Sequence, residues 1–299
     1  MEALIRLILG TGINLLLAVT AFKRQSVSVS GAVTGFILGL IIYLSGGFWF
    51  WLHLGAFFIS STLLGRFKQE MKADSTSRHA KHGRRDGIQV VANTGPGAAA
   101  ALLYLLHPHP AFLAAFSAAF AAANADTWAG EIGMLSARRP TSILTGKSLP
   151  TGASGGTTPL GFMASAAGAA FIAVVSSVGV LLAAAAQSVP APSPGAGSAS
   201  GLVPVVLFTI GIAAIVTVSG FLGSVIDSLL GASLQAEYIC SVSGTHTERP
   251  HTGNSPNTLI KGYRRITNDT VNLLSVSAAA AAGLFLAAVL PLPALPVLL

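Results

Sequence analysis

The chain predicts an all-α fold, a polytopic transmembrane helix bundle of about eight spans. Three observations carry that reading. Charged residues make up 9% of the 299 positions, against ~25% in ordinary soluble domains. Mean hydropathy is +0.71. The apolar residues also fall into runs long enough to cross a hydrocarbon core of ~30 Å as helices. Nothing in the composition marks a second unit, so residues 1–299 read as a single integral-membrane domain. The single cysteine, Cys240, excludes an intramolecular disulfide framework. Glu2 stands where a signal peptide carries basic charge, and Arg6 is already inside the apolar run, so no signal peptide is expected.

The expected spans are, in order, residues 4–22, 29–45, 48–64, 88–106, 111–125, 160–186, 202–230 and 271–290. Little more than Gly46-Gly47 separates the second from the third, which predicts a tight hairpin. The fourth contains Asn93-Thr94-Gly95-Pro96-Gly97. Pro96 has no N–H to donate and is expected to kink the helix and free carbonyls at membrane depth. The fifth is uncharged until it runs into Asn124-Ala125-Asp126-Thr127-Trp128. At ~1.5 Å per residue, Asp126 stands only ~23 Å from a helix start at Ala111, within membrane depth. Thr158 as N-cap with Pro159 at the first helical position starts the sixth span. The sixth and seventh are long enough to tilt or project. The uncharged Pro/Gly/Ser/Ala-rich stretch 190–201 between them reads as a linker.

Charge sets the orientation. Sixteen of the seventeen Lys and Arg lie in four segments: Lys23-Arg24, residues 66–85, Arg138 to Lys147, and Arg249 to Arg265. With eight spans all four fall on one side, and the opposite connections (46–47, 107–110 and 187–201) hold none. The positive-inside rule places the basic side in the cytoplasm and both termini opposite. Attraction to anionic headgroups explains part of this charge. A phosphate-bearing substrate explains it more sharply. Nucleic acid is not expected, because acids interrupt the basic groups and few aromatics accompany them.

The acids converge on the same side. Asp126 ends span five in A-D-T-W-A-G, Asp227 ends span seven in I-D-S-L-L-G, and Asp269 opens span eight in N-D-T-V-N. Gly220, Gly223, Asp227 and Gly231 share one helical face, so another helix approaches closely there and keeps Asp227 inside the bundle. Asn124, Thr127 and Glu131 share a face that Asp126 does not, so either the helix breaks or these residues serve different partners. Each Asp alone is equally well a cap or an arginine partner. Together they suit Mg²⁺, which is commonly held by one or two carboxylates plus phosphate oxygens and waters, with cationic clamps as in phosphoryl transfer.

Two loops need weighing. Gly146-Lys147-Ser148 resembles the end of a P-loop, but Thr141 occupies the position of its first glycine, so no Walker motif exists. The run 151–157 is glycine-rich and precedes a helix N-terminus, where backbone N–H groups are suited to an anion; a plain flexible turn is the alternative. Cys240, His246, Glu248 and His251 are metal-type residues without Cys-x-x-Cys spacing, and read as a polar loop.

In order along most of the chain stand G-R-R-D (Gly83–Asp86), Q-V-V-A-N (Gln89–Asn93), A-D-T-W-A-G-E-I-G (Ala125–Gly133), T-G-A-S-G-G-T-T-P-L-G (Thr151–Gly161), G-F-L-G-S-V-I-D-S-L-L-G-A (Gly220–Ala232) and N-D-T-V-N (Asn268–Asn272). With these motifs the chain resembles the integral-membrane family catalogued as domain of unknown function 92, which includes transmembrane protein 19 and a plant phytyl-phosphate kinase. The resemblance implies a membrane kinase that phosphorylates an isoprenoid (prenyl- or phytyl-type) monophosphate to the diphosphate with a nucleoside triphosphate, CTP or ATP, and Mg²⁺. Carried over by motif, it implies catalytic roles for Asp126, Glu131 and Asp227, with Asp126, Asp227 and Asp269 as metal ligands. Arg84, Arg85, Lys147, Arg264 and Arg265 would neutralise phosphate charge. Asn93, Asn124, Thr127, Ser154, Gly155, Gly156 and Thr157 would line the substrate and phosphate site. Many members carry a Cys-x-x-Cys after span seven; here Ser243 replaces the second cysteine, which leaves that loop without the pair. The residues also suit a transporter or flippase of a small anion or lipid phosphate, with intramembrane acids and a broken span, and a lipid-phosphate nucleotidyltransferase.

Overall fold

The computed structural model describes residues 1–67, 84–187 and 199–293. The Lys81-His82-Gly83 end of one basic cluster and residues 190–198 of the expected linker lie outside the described residues. Seven long helices are described: α1 (Glu2–Lys23), α2 (Val29–Arg66), α3 (Gly87–Leu106), α4 (Pro110–Gly133), α5 (Pro159–Gln187), α6 (Ala199–Ser233) and α7 (Asn268–Val289). Six of them, all but α4, are long and apolar enough to cross a membrane.

The second helix is two arms. Gly47 has φ +71° and ψ −160°, a conformation open to glycine at little cost. The chain folds back there, so that Gly39 of the first arm faces Leu54 of the second. At the far end of the second arm the Arg66 guanidinium donates to the Arg24 carbonyl at 2.7 Å, closing the hairpin against the end of α1. The eight expected spans therefore map onto this architecture segment by segment. Helix α3 runs through Pro96 as one helix. Its start is capped by Asp86, whose carboxylate accepts from the Gln89 N–H at 2.9 Å. Thr158 caps α5 as expected, accepting from the Gly161 N–H at 3.0 Å.

Helix α4 is the axis of the bundle. Ala111 and every residue from Leu113 to Ala125 are buried. Alanine and glycine allow this. A side chain at Gly220 would meet Ala121, one at Gly223 would meet Ala122, and one at Gly283 would meet Ala118, so α6 and α7 lie against α4 almost backbone to backbone. Van der Waals packing of this kind replaces the hydrophobic drive that lipid does not supply. Phe116 and Phe120 fill the space towards the second arm of α2, with Phe116 stacked on Phe50 at 4.3 Å between ring centroids.

The connections contain short strands that the sequence reading missed. β1 (Thr141–Ser142) pairs with β2 (Gly156–Thr157). β3 (Glu237–Ile239) lies between β4 (His246–Thr247) and β7 (Thr258–Lys261), and β5 (His251–Thr252) pairs with β6 (Ser255–Pro256). With two to four residues each, these strands are too short to display a period-two pattern.

Candidate functional site

The basic end of the bundle encloses a cavity of about 770 Å³. Its wall takes Ser61, Thr62 and Arg66 from the second arm of α2, Arg84 and Arg85 from the approach to α3, Gln89 and Asn93 from α3, and Asp126, Thr127 and Glu131 from α4. Tyr238, Glu248 and Asn257 come from the strand-bearing loop, and Arg264, Asn268 and Asp269 from the start of α7. Two of the four basic segments thus meet here, on residues far apart in the chain.

Arg85 is the most constrained of these cations. Its guanidinium donates to the Thr62 hydroxyl at 3.2 Å and lies 5.5 Å from the Phe58 ring centroid. Its backbone is tied to the α1–α2 corner, accepting from the Ser28 N–H at 2.9 Å and donating to the Ser26 carbonyl at 3.1 Å. A side chain at Gly31 would strike the Arg85 carbonyl, so glycine is needed there. Burial pushes the Arg85 pKa down from the usual arginine value, and the Glu131 carboxylate pushes it back up. A half-buried guanidinium on a cavity wall is suited to an anion.

A second, smaller cavity of about 180 Å³ adjoins the first. The glycine-rich loop from Thr151 to Thr158 forms one side, and Asp227, Ser224 and Ser228 of α6 form the other. Asp126, Glu248 and Asn268 line both cavities and so stand at the junction. Asp227 accepts from the Ser275 hydroxyl at 2.9 Å and shares the wall of this cavity with Asp126 and Glu248. The glycine loop is fixed by more than its turn. Gly155 has φ +76°, and a side chain there would collide with Ala232 of α6. The Ser154 hydroxyl donates to Gln235 Oε1 at 2.8 Å, and Gln235 Nε2 donates to Glu248 Oε1 at 2.9 Å. The buried Gln235 thereby joins the glycine loop to the strand-bearing loop. Two backbone amides of this loop are used internally: Ala153 N–H donates to the Pro150 carbonyl and Gly156 N–H to the Ala153 carbonyl.

The structure brings together Asp126, Glu131, Asp269, Arg84, Arg85, Asn93, Thr127 and Arg264 around the larger cavity, and Asp227, Ser154, Gly155, Gly156 and Thr157 around the smaller. Three of the expected residues are placed elsewhere. Asn124 is fully buried between helices, accepting from the Ser60 hydroxyl at 2.9 Å and donating to the Gly168 carbonyl at 2.8 Å. Lys147 is exposed at the tip of the β1–β2 connection, and Arg265 is exposed beside Arg264; neither lines the cavities. Helix α4 does not break at Asp126; Asn124 and Asp126 simply serve different partners. Glu248 and Gln235 were not singled out as site residues in the sequence. Glu248 was read as part of a polar loop and Gln235 carries no local signal, because both reach the junction only through the folding of the loop between α6 and α7.

Among the described residues no three His, Cys, Asp or Glu side chains cluster closely enough to hold a metal ion by themselves. Asp269 lines only the larger cavity, apart from Asp227. In the strand-bearing loop, the Cys240 thiol lies 3.3 Å from the Thr252 hydroxyl and His246 pairs with Glu237 at 2.8 Å.

Residues 12–280 match the family described as Integral membrane protein DUF92. Protein PGR of Arabidopsis thaliana is 27% identical over 287 residues, covering 91% of this chain and 92% of that protein. The uncharacterized membrane protein MJ0933 of Methanocaldococcus jannaschii is 30% identical over 58% of this chain and 71% of that protein. No solved structure matches.

Proposed function

The chain belongs to the DUF92 integral membrane family, and from that premise and the geometry above we propose that it is a membrane kinase acting on an isoprenoid monophosphate. The observation that carries this reading is the junction at Asp126. There a polar cavity walled by Arg66, Arg84, Arg85 and Arg264 meets a small cavity walled by a glycine loop and Asp227, at the end of a bundle otherwise made for lipid. The donor chemistry fits Mg²⁺. Asp126 and Asp227 face one cavity, and among the described residues no group of three acids, His or Cys is close enough to hold a metal alone, which suits an ion bound partly by phosphate oxygens and water. Asp126 and Asp227 would hold it, with Asp269 on the nucleotide's side of the larger cavity. The ion would supply neutralisation of phosphate charge.

The chain's own part is positioning and electrostatics. Arg85 and Asn93 hold the acceptor phosphate at the membrane boundary. Arg84 and Arg264 draw the nucleoside triphosphate, and the glycine loop, braced by Ser154 and Gln235, cradles its phosphates. An oxygen of the acceptor monophosphate attacks the terminal phosphorus of the nucleotide, the new O–P bond forms, and the bond to the nucleoside diphosphate breaks. The acceptor is already an anion, so no strong base is required. We place this end in the cytoplasm by the positive-inside rule.

The purified protein in detergent, with Mg²⁺, CTP or ATP and a series of prenyl monophosphates, tests the reading. Formation of prenyl diphosphate with release of nucleoside diphosphate supports it. Release of pyrophosphate makes the protein a nucleotidyltransferase. No nucleotide consumption, together with substrate movement between two compartments in liposomes, makes it a transporter.

A further inference from the structure

We propose that a narrow slot between α1, the first arm of α2 and α3 is the binding site for the hydrocarbon chain of a single-chain lipid monophosphate whose head occupies the larger cavity. This rests on the kinase reading above. The slot has a volume of about 60 Å³ and is lined mainly by Leu17, Ala18, Ala21, Val27, Gly35 and Phe58. It shares Phe57, Arg85, Gln89 and Asn93 with the larger cavity, so a polar chamber and an apolar slot open onto one doorway.

The charge at that doorway fits such a ligand. Arg85 is held there by Thr62 and Phe58. A cation at the mouth and hydrocarbon beyond it match a phosphate ester followed by its chain. Depth is set by α2. Gly31 lies against Arg85, and Gly39, ~12 Å further along the helix, is closed off by Asn14 and Leu54. Between them Gly35 has no atom within 4 Å of where a side chain would begin, so the helix presents open space there. The volume takes only the first carbons of a chain. The rest passes sideways into lipid past α1, the least buried of the membrane-spanning helices. A diacyl phospholipid, with a glycerol and two chains behind its phosphate, is too wide for this slot.

The test uses the full-length protein in detergent, with Gly35→Leu and Ala18→Leu filling the slot from opposite walls. Both variants are first checked for an unchanged elution profile and thermal transition. For each, KM is measured for a twenty-carbon prenyl monophosphate and for the nucleotide. Each variant should raise the prenyl phosphate KM about tenfold or more and leave the nucleotide KM within about twofold. An equal change for both substrates, or none, overturns the proposal. A twenty-carbon prenyl monophosphate bearing a diazirine close to its phosphate provides a readout independent of turnover. It should label α1 and the first arm of α2 in the wild type and not in Gly35→Leu. Labelling suppressed equally well by a diacyl phospholipid marks an ordinary bilayer-lipid groove and overturns the proposal. If the wild type labels in the slot but turns over no prenyl phosphate, the kinase reading fails and the chain site stands. If it turns over the substrate but labels elsewhere, the chain site fails and the kinase stands.

Discussion

Two sets of polar side chains lie deep in this bundle, and they are built differently. His53 and Asn124 are each closed on every side. Between 2.8 and 2.9 Å, His53 meets the Trp49 carbonyl and the Ser176 hydroxyl, and Asn124 meets Ser60 and the Gly168 carbonyl. Asp126, Asp227 and Arg85 are also largely enclosed by protein, yet each faces a cavity. The first set shows how a polar group is tolerated in an apolar bundle when its bonds are all made within the protein. The second keeps charge directed at a space, which burial alone makes costly and which a bound partner offsets. Sequence position does not separate them, since Asn124 and Asp126 are two residues apart on one helix.

The strongest way to break this comparison is to neutralise the cavity acids. Asp126→Asn or Asp227→Asn should lower turnover by about a thousandfold or more, roughly 4 kcal/mol of transition-state stabilisation, while insertion and folding persist. Near-normal turnover in both, measured with the prenyl phosphate assay, would return these acids to the structural set. Arg85→Lys comes next. An ammonium keeps the charge and loses the planar fork, so turnover should fall at least tenfold, about 1.4 kcal/mol, with topology unchanged. Full activity in that variant would mean that the position needs only a positive charge.

The closed set should respond in the opposite way. Asn124→Ala removes the amide's bonds to the Gly168 carbonyl and to the Ser60 hydroxyl, which keeps the Phe57 carbonyl and the Trp128 indole, a loss of about 1–3 kcal/mol of stability. Thermal unfolding should reveal that loss, whereas turnover per folded molecule stays within about twofold. A large fall in activity without a fall in stability would move Asn124 into the site. The smallest effect is expected at Lys147, where an exposed side chain lines neither cavity. Lys147→Ala should change kcat and KM for the nucleotide by less than about twofold; a clear rise in KM would show that the β1–β2 tip closes over the substrate.

The sequence carried the spans well, because uninterrupted apolar runs and the Gly46-Gly47 break are local signals of helices and of the turn between them. It also put Asp126 and Asp227 on one side, and the small-residue face of α6 forecast a close helix neighbour, which the structure shows to be α4. What the sequence left open has one physical source. Whether Lys147, Arg265 or Asn124 faces the site depends on how a loop tip lies or on which neighbouring helix supplies a partner, and such long-range facts leave no periodic trace. Glu248 and Gln235 went unassigned for the same reason, since a folded loop carries them to the junction.

The enclosed helix α4 also has a consequence for how the protein reaches its membrane. It carries the polar turn at Asp126 and is the one long helix outside the set apolar enough to cross a membrane unaided. A translocon that tests each segment against lipid as it emerges should therefore admit α4 poorly on its own, and retain it once its neighbours offer Gly97, Gly220 and Gly283 as docking sites. Glycosylation mapping of α4 alone, and then of α3 to α7 together, should show insertion rising sharply with company. Efficient solo insertion would show that α4 enters as an independent segment, and that the bundle assembles around it afterwards.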